Sequence, residues 1–387
     1  MLVCFGTRPE AIKLAPVISQ LEQDERLSSI TVTTSQHREM LQQVLTTFDI
    51  RPEIDLSLMR ERQQLSSLTA RAVSALGETI GDIRPNAVLV QGDTTTAFCA
   101  ALAAFYHGVP VGHVEAGLRT HNTRDPFPEE INRRLISTVA EWHFCPTERN
   151  SAALAAEGIP RDRLLVTGNT VIDALLMISN RPLAPAEAHP IPSKGTFRRI
   201  LVTLHRRETQ GETQRRLAAM LRRVADRPDV QVLFPVHLSP AVRESVVAEL
   251  DSHPKVHLID PLEYTQFVHA MKTSDLVVTD SGGVQEEAPT FGIPVIVMRE
   301  TTERREGVDA GCVLLSGTDH DAVERDIVRL LDDSTEYDRM ARATNPYGDG
   351  HAAERVVARL RRDLADPESR EEPLPFAAHR AKASARR

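Results

Sequence analysis

Cysteine is scarce in this chain: four residues in 387, with no CxxC pair. Cys4, Cys99, Cys145 and Cys312 are scattered, which excludes a disulfide scaffold or a zinc ribbon and fits a reducing cytoplasm. The fourteen histidines form no HExxH and no His/Cys cluster at zinc-ligand spacing, so no catalytic metal is predicted. A GxGxxG fingerprint is also missing, which weighs against a bound nicotinamide. Positive charge is not in excess either. With 46 Lys+Arg against 54 Asp+Glu the formal net charge is −8, and no basic face stands ready to neutralise the phosphates of a nucleic acid. A local basic pocket is still allowed. The N-terminus has neither a basic region nor a long apolar core, so no secretory signal is expected. The longest run without Asp, Glu, Lys or Arg, 94–114, contains Thr94, Thr95, Thr96, His107, Gly108 and Pro110. It reads as a helix of small residues, a turn and a strand rather than a membrane span. A soluble cytoplasmic protein is expected.

What is present is a repeating pattern. At about 150 residues per domain, the length suggests two to three domains. Hydrophobic residues at 41% and charged residues at 26% are ordinary globular usage. Short runs rich in Val, Ile and Leu occur at 2–5, 30–34, 87–91, 111–114, 142–145 and 164–167. They recur at 200–203, 230–234, 256–259, 276–279, 295–298 and 313–315. Amphipathic segments such as 11–23, 65–80, 214–225 and 321–331 lie between them. Continuously apolar strands alternating with helices indicate βα units and parallel sheets covered on both faces. So many strands exceed one comfortable sheet, and two doubly wound α/β domains are predicted. The boundary is placed after Gly168, with a proline-rich segment (Pro182, Pro185, Pro190, Pro192) following, and the tail from 366 to 387 is expected to be disordered.

In doubly wound sheets ligands bind where strands end and helices begin. After the first strand comes Gly6-Thr7-Arg8-Pro9-Glu10, in which Arg8 would sit beside the positive end of a helix, well placed for a diphosphate oxygen. The bland reading pairs Arg8 with Glu10 on the surface. After 276–279 comes Asp280-Ser281-Gly282-Gly283-Val284-Gln285-Glu286-Glu287. Its glycines let backbone amides approach an anion, and Glu287 is spaced to accept from both hydroxyls of a ribose. Asp93, Glu115 and Glu129 follow strands or open a helix; each alone could be a cap, but together they suit acid and base work. His205 and His237 also stand at strand ends. The residues alone leave a nucleotide-sugar enzyme, with transferase and isomerase both open.

At these residues the chain resembles a known family. The segments are Phe5 to Lys13, Gln91 to Thr96, Gly112 to Arg119, Pro128-Glu129-Glu130, Gly168 to Asp173, His205 to Glu208, Asp280 to Glu287 and Asn345 to Gly350. In order and spacing, from Met1 to about Leu364, they are similar to the bacterial non-hydrolysing UDP-N-acetylglucosamine 2-epimerases. The resemblance implies a glycosyltransferase-B-type fold: two Rossmann-like domains, 1–168 and 169–350, around a central cleft, with a C-terminal helix at about 351–364 returning to the first. It implies interconversion of UDP-N-acetylglucosamine and UDP-N-acetylmannosamine by loss and re-addition of UDP, without a cofactor, in a homodimer. The alternatives are a hydrolysing 2-epimerase releasing N-acetylmannosamine and UDP, or a nucleotide-sugar glycosyltransferase. Carried over by position, Asp93, Glu115, Glu129 and His205 match the essential catalytic residues. Arg8, Lys13, Phe267, Ser281, Gly282, Gly283, Glu287 and Arg304 match positions that hold or surround UDP. Gln36, Arg62, Arg206 and His237 match a regulatory second site, where Glu39 replaces a glutamine of some regulated members. Arg305 stands where the family usually has proline.

Overall fold

The computed structural model describes residues 1–35, 38–60, 63–183, 191–204, 212–236, 247, 249–365, 374–376 and 378–380. The chain forms two compact units, Met1–Leu176 with Tyr347–Ala377, and Met177–Pro346 with Ala378–Arg387.

In the first unit strands β1 (Leu2–Phe5), β2 (Ile30–Thr33), β3 (Ile54–Asp55), β4 (Val88–Gln91), β5 (Val111–Val114), β6 (Trp142–Cys145) and β7 (Leu164–Val166) form a seven-stranded sheet. All its pairings are parallel, in the order β3-β2-β1-β4-β5-β6-β7. The intervening helices are α1 (Arg8–Gln23), α2 (Arg38–Thr47), α3 (Leu65–Ile83), α4 (Thr95–Tyr106), α5 (Glu129–Val139), α6 (Glu148–Ala156) and α7 (Thr170–Ser179). The second unit repeats the plan with β8 (Arg198–Thr203), β9 (Val230–Pro235), β10 (Val256–Ile259), β11 (Leu276–Thr279), β12 (Val295–Val297) and β13 (Val313–Leu315), ordered β10-β9-β8-β11-β12-β13. Both orders reverse direction once, between β1 and β4 and between β8 and β11. Those reversals are the switch points where doubly wound sheets open to ligands.

The strands read as unbroken apolar runs because both faces are covered. Along β8, Ile200 and Val202 enter one core layer and Leu201 the other; Leu276 and Val278 on β11 are likewise separated from Val277. The period of two is therefore present in space but invisible in composition. Every strand foreseen from the sequence is formed. The strands missed among the described residues are β3, a two-residue edge whose Asp55 is exposed, and the two-residue pair Thr344–Asn345 and His379–Arg380, all too short and too polar to register as hydrophobic runs.

The units divide inside α7, between Leu176 and Met177, eight residues beyond the expected boundary at Gly168. Segment 169–176 stays with the first unit through polar contacts. The Asn169 amide donates to the Tyr347 carbonyl at 2.6 Å, and Asp173 Oδ1 accepts from the Ala353 amide at 2.8 Å. The C-terminal helix Ala352–Leu364 lies in this unit, where Asp363 accepts from Trp142 Nε1 at 2.7 Å and Arg361 meets Asp24 at 3.3 Å. Residues 374–376 of the tail contact the first unit. The buried Arg355 guanidinium pairs with Asp349 at 2.6 Å and takes the carbonyls of Leu374 and Pro375, with the Phe376 ring beneath it. A charge buried that deeply must be matched on every edge, and the tail supplies two acceptors. His379–Arg380 pairs antiparallel with Thr344–Asn345 in the second unit. Among the described residues no helix is long and apolar enough to cross a membrane.

Burial pushes the Asp173 carboxyl up to about 6, against the pull of the Ala353 and Ala352 amides, and its Oδ2 is buried with no partner among the described residues. A folded value above the unfolded one means that this group's stability is complete below about 3.8 and is lost as pH rises through about 6. Asparagine caps a helix equally well. Asp173→Asn is therefore expected to match wild type near pH 4 and to exceed it by on the order of 3 kcal/mol at pH 7.5. Urea unfolding of both proteins at the two pH values checks this; an unchanged difference would count against it.

Candidate active-site residues

At the switch point of the first unit the chain spends buried polar groups on fixing two turns. Thr7 caps α1 in a reciprocal box with Glu10. The Glu10 carboxylate is buried, and its Oε2 accepts from the amides of Gly6 (3.0 Å) and Thr7 (2.8 Å) and from the Thr7 hydroxyl (2.7 Å). Its Oε1 accepts from Thr94 Oγ1 at 2.6 Å, and Thr94 caps α4. Glu10 is thus not the surface partner of Arg8 but the tie between the β1–α1 and β4–α4 turns. Arg8 opens α1 half-buried.

Thr94 is the cap of α4, so the neighbouring Asp93 carboxylate is spared that task. Asp93 Oδ2 instead accepts from Arg133 Nε at 2.7 Å, and the Asp93 carbonyl accepts from Asn132 Nδ2 at 2.8 Å. The preceding Gly92 has φ +69, and its carbonyl is met by His113 Nε2 at 2.8 Å. Burial pushes His113 down to about 3, so the ring is neutral and Nε2–H is the donor.

Glu115, immediately after β5, adopts φ +64, a conformation that costs a non-glycine residue about 1 kcal/mol or more. Its Oε2 is held by Lys13 Nζ at 2.5 Å and by Gln91 Nε2, and its Oε1 by Asn169 Nδ2 at 3.3 Å. Lys13, matched to a UDP position by the resemblance, is placed on this carboxylate. Glu129 begins α5, and its Oε2 is buried without a partner among the described residues. Arg133 and Asn132 were not singled out by sequence reading, and Gln91 and Thr94 entered it only as members of a quoted segment. The available signal was helical spacing, since Arg133 lies one turn from Glu129 on α5.

In the second unit, Thr203 and Thr279 at the ends of β8 and β11 share a hydrogen bond of 2.6 Å across the switch point. Ser281 caps the helix Gly282–Glu287 by position, yet its hydroxyl makes no capping bond. A side chain at Gly282 would lie 2.5 Å from Arg304 Nη1 and 2.7 Å from its Cζ, so this glycine is required for the guanidinium to lie flat against the turn. Arg304 is buried there between Glu286 (2.5 Å) and Glu303 (2.5 Å). Glu287 Oε1 accepts from Tyr264 Oη at 3.2 Å, which orients the carboxylate. Phe267 stands half-buried on the helix Tyr264–Lys272 and packs on its core. Arg305 starts the short helix Arg305–Asp309. Asn345 of the quoted motif is engaged by the fold, its Nδ2 donating to the Glu286 carbonyl at 3.0 Å. His205, Gln36, Arg62, Arg206 and His237 lie outside the described residues, and so does the side chain of Glu39. Among the described residues no group of His, Cys, Asp and Glu is arranged to hold a metal ion.

These features define an α/β protein of two Rossmann-like units, with Asp93 following β4 at one switch point and a Ser-Gly-Gly turn following β11 at the other. The family model for UDP-N-acetylglucosamine 2-epimerase matches residues 19–361. A UDP-N-acetylglucosamine 2-epimerase of Bacillus subtilis is 48% identical over 362 residues, 93% of this chain and 94% of its own. The crystal structure of UDP-GlcNAc 2-epimerase from Neisseria meningitidis bound to UDP-GlcNAc is similar with TM-score 0.86 and 44% identity, covering 93% of this chain and 98% of that one. The Methanocaldococcus jannaschii UDP-GlcNAc 2-epimerase in complex with UDP-GlcNAc and UDP gives TM-score 0.77 at 30% identity, over 93% and 98% of the two chains. The chain belongs to the UDP-N-acetylglucosamine 2-epimerase family.

Proposed function

We propose that this protein interconverts UDP-N-acetylglucosamine and UDP-N-acetylmannosamine in the cytoplasm, as a homodimer and without hydrolysis. The observation that carries the reading is family membership across residues 19–361. It is supported by a Neisseria meningitidis relative whose structure contains UDP-GlcNAc.

The chemistry follows from the substrate. The hydrogen on C2 is not flanked by a carbonyl, so its removal as a bare carbanion is prohibitive. Its loss is coupled to departure of UDP. A carboxylate takes the C2 proton, the C–H electron pair becomes the C1–C2 double bond, and the C1–O pair leaves with UDP, giving 2-acetamidoglucal. UDP then adds back to C1 while an acid returns a proton to the opposite face of C2. Asp93, Glu115 and Glu129 are the proposed acid and base groups. Arg8, His205 and the amides of Ser281, Gly282 and Gly283 are proposed to stabilise the departing diphosphate. Glu287 is proposed to take the ribose, Phe267 to lie against the uracil and Arg304 to hold the turn in place. Water must be excluded while the glucal exists. Gln36, Arg62, Arg206 and His237 are proposed to form a second, regulatory site.

Turnover in deuterium oxide is expected to place deuterium at C2 of both epimers while each stays attached to UDP. An active preparation that leaves C2 unlabelled overturns the mechanism. Accumulation of free UDP and N-acetylmannosamine would show a hydrolysing enzyme instead.

A further inference from the structure

Asp93 is held in a manner that its structural surroundings do not require. Its carboxylate is one-quarter exposed and is not used to cap α4. Water could serve such a group. Instead Arg133 brings Nε and Nη2, both at 2.7 Å, onto the single oxygen Oδ2. Among the described residues Oδ1 makes no hydrogen bond.

The charge of Arg133 does not depend on this contact. Its Nη1 already meets the fully buried Glu130 at 3.2 Å. Glu130 in turn does not depend on Arg133. It accepts from the amides of Thr120 (3.0 Å) and His121 (3.2 Å) and pairs with Arg134 at 3.1 Å. The pair between Arg133 and Asp93 is therefore additional to a network already complete on either side. It fixes one oxygen of Asp93 and leaves the other directed. A side-on fork that clamps both nitrogens on one carboxylate oxygen is available to a guanidinium and not to an ammonium. Asn132, on the same turn of α5, anchors the Asp93 backbone, and Glu129 opens that turn. One helix start thus sets a second acid and the grip on the first.

We propose that Arg133 is a positioning residue for Asp93: by holding Oδ2 it aims Oδ1 at the reacting carbon. The inference rests on the epimerase reading above.

The test uses the full-length protein carrying Arg133→Met or Arg133→Lys, with kcat and KM for epimer interconversion, UDP affinity by calorimetry, and thermal melting. Misaimed catalytic groups cost on the order of 10²-fold in rate. Arg133→Met is expected to lower kcat by about that factor, with KM and UDP affinity unchanged, and guanidinium ion added to the buffer restores part of the loss. Arg133→Lys keeps the charge without the fork and is expected to lose most of the rate while melting as wild type, which covers the case of a methionine variant that does not fold. Combined with Asp93→Asn, Arg133→Met adds no further loss, because the oxygen it aims is already disabled. A wild-type kcat in Arg133→Lys, a raised KM with kcat intact, or losses that multiply in the double variant would overturn the proposal. A wild-type protein that neither interconverts the epimers nor exchanges C2 would remove the epimerase reading itself, and this inference with it.

Discussion

Asp93→Asn is expected to bind UDP as tightly as the unaltered protein and to turn over slower by about 10²- to 10⁴-fold, the usual contribution of a general acid or base. The two halves of the expectation come from different places. Binding survives because asparagine keeps the shape, and because the groups proposed to hold UDP are other residues. Turnover falls because an amide is far too weak an acid to give up a proton to C2 and far too weak a base to take one. Nothing in the local scaffold obliges the variant to unfold, since Thr94 caps α4 and the Gly92 and Asp93 carbonyls keep their donors from His113 and Asn132. Initial rates of epimer formation measured beside calorimetric UDP affinity separate the two halves. A variant with full activity would remove Asp93 from the reaction. One that loses UDP would make it a binding group.

Gly117→Ala is expected to be the most damaging small substitution, at roughly 2–4 kcal/mol of folding stability. Gly117 has φ +92, and a Cβ there would press into the backbone carbonyl of Asn150, with Asn150 C at 2.8 Å. Neither side can give way. Asn150 is buried in the capping box that starts α6 with Thr147, so the obstacle is a pinned helix end rather than a mobile side chain. Gly108→Ala serves as the comparison. Gly108 also has positive φ (+67) but nothing within 4 Å of the added carbon, so only the backbone penalty of about 1 kcal/mol applies. Urea unfolding of the two variants should differ by the cost of the clash. Equal losses would mean that the first turn of α6 yields.

The parts of this protein legible in its sequence are those fixed by hydrophobic period and by strand-end chemistry. A strand buried on both faces shows itself as an apolar run, and all the runs noted became strands. Asp93, Glu115 and the Ser281–Gly283 turn follow β4, β5 and β11 as the sequence reading expected, because apolar runs already mark where strands end. What the sequence hides is the partner of each polar group. Glu10 looks like a surface acid beside an arginine, yet it is sealed in the interior, because its acceptors are satisfied by amides that no sequence pattern displays. Lys13 gives no sign in the sequence of its contact with Glu115, which is far away in sequence and is brought near by the order β1-β4-β5 in the sheet. Arg133 was overlooked for the same reason, since its partner lies on another element. Hydrogen bonds that Asn169 donates and Asp173 accepts, which no change in composition displays, hold 169–176 in the first unit.

Because a single sealed carboxylate, Glu10, answers to both Thr7 and Thr94, neither turn can shift without dragging the other. A push on one threonine is felt at the other, so two distant stretches of the chain behave as one mechanical part.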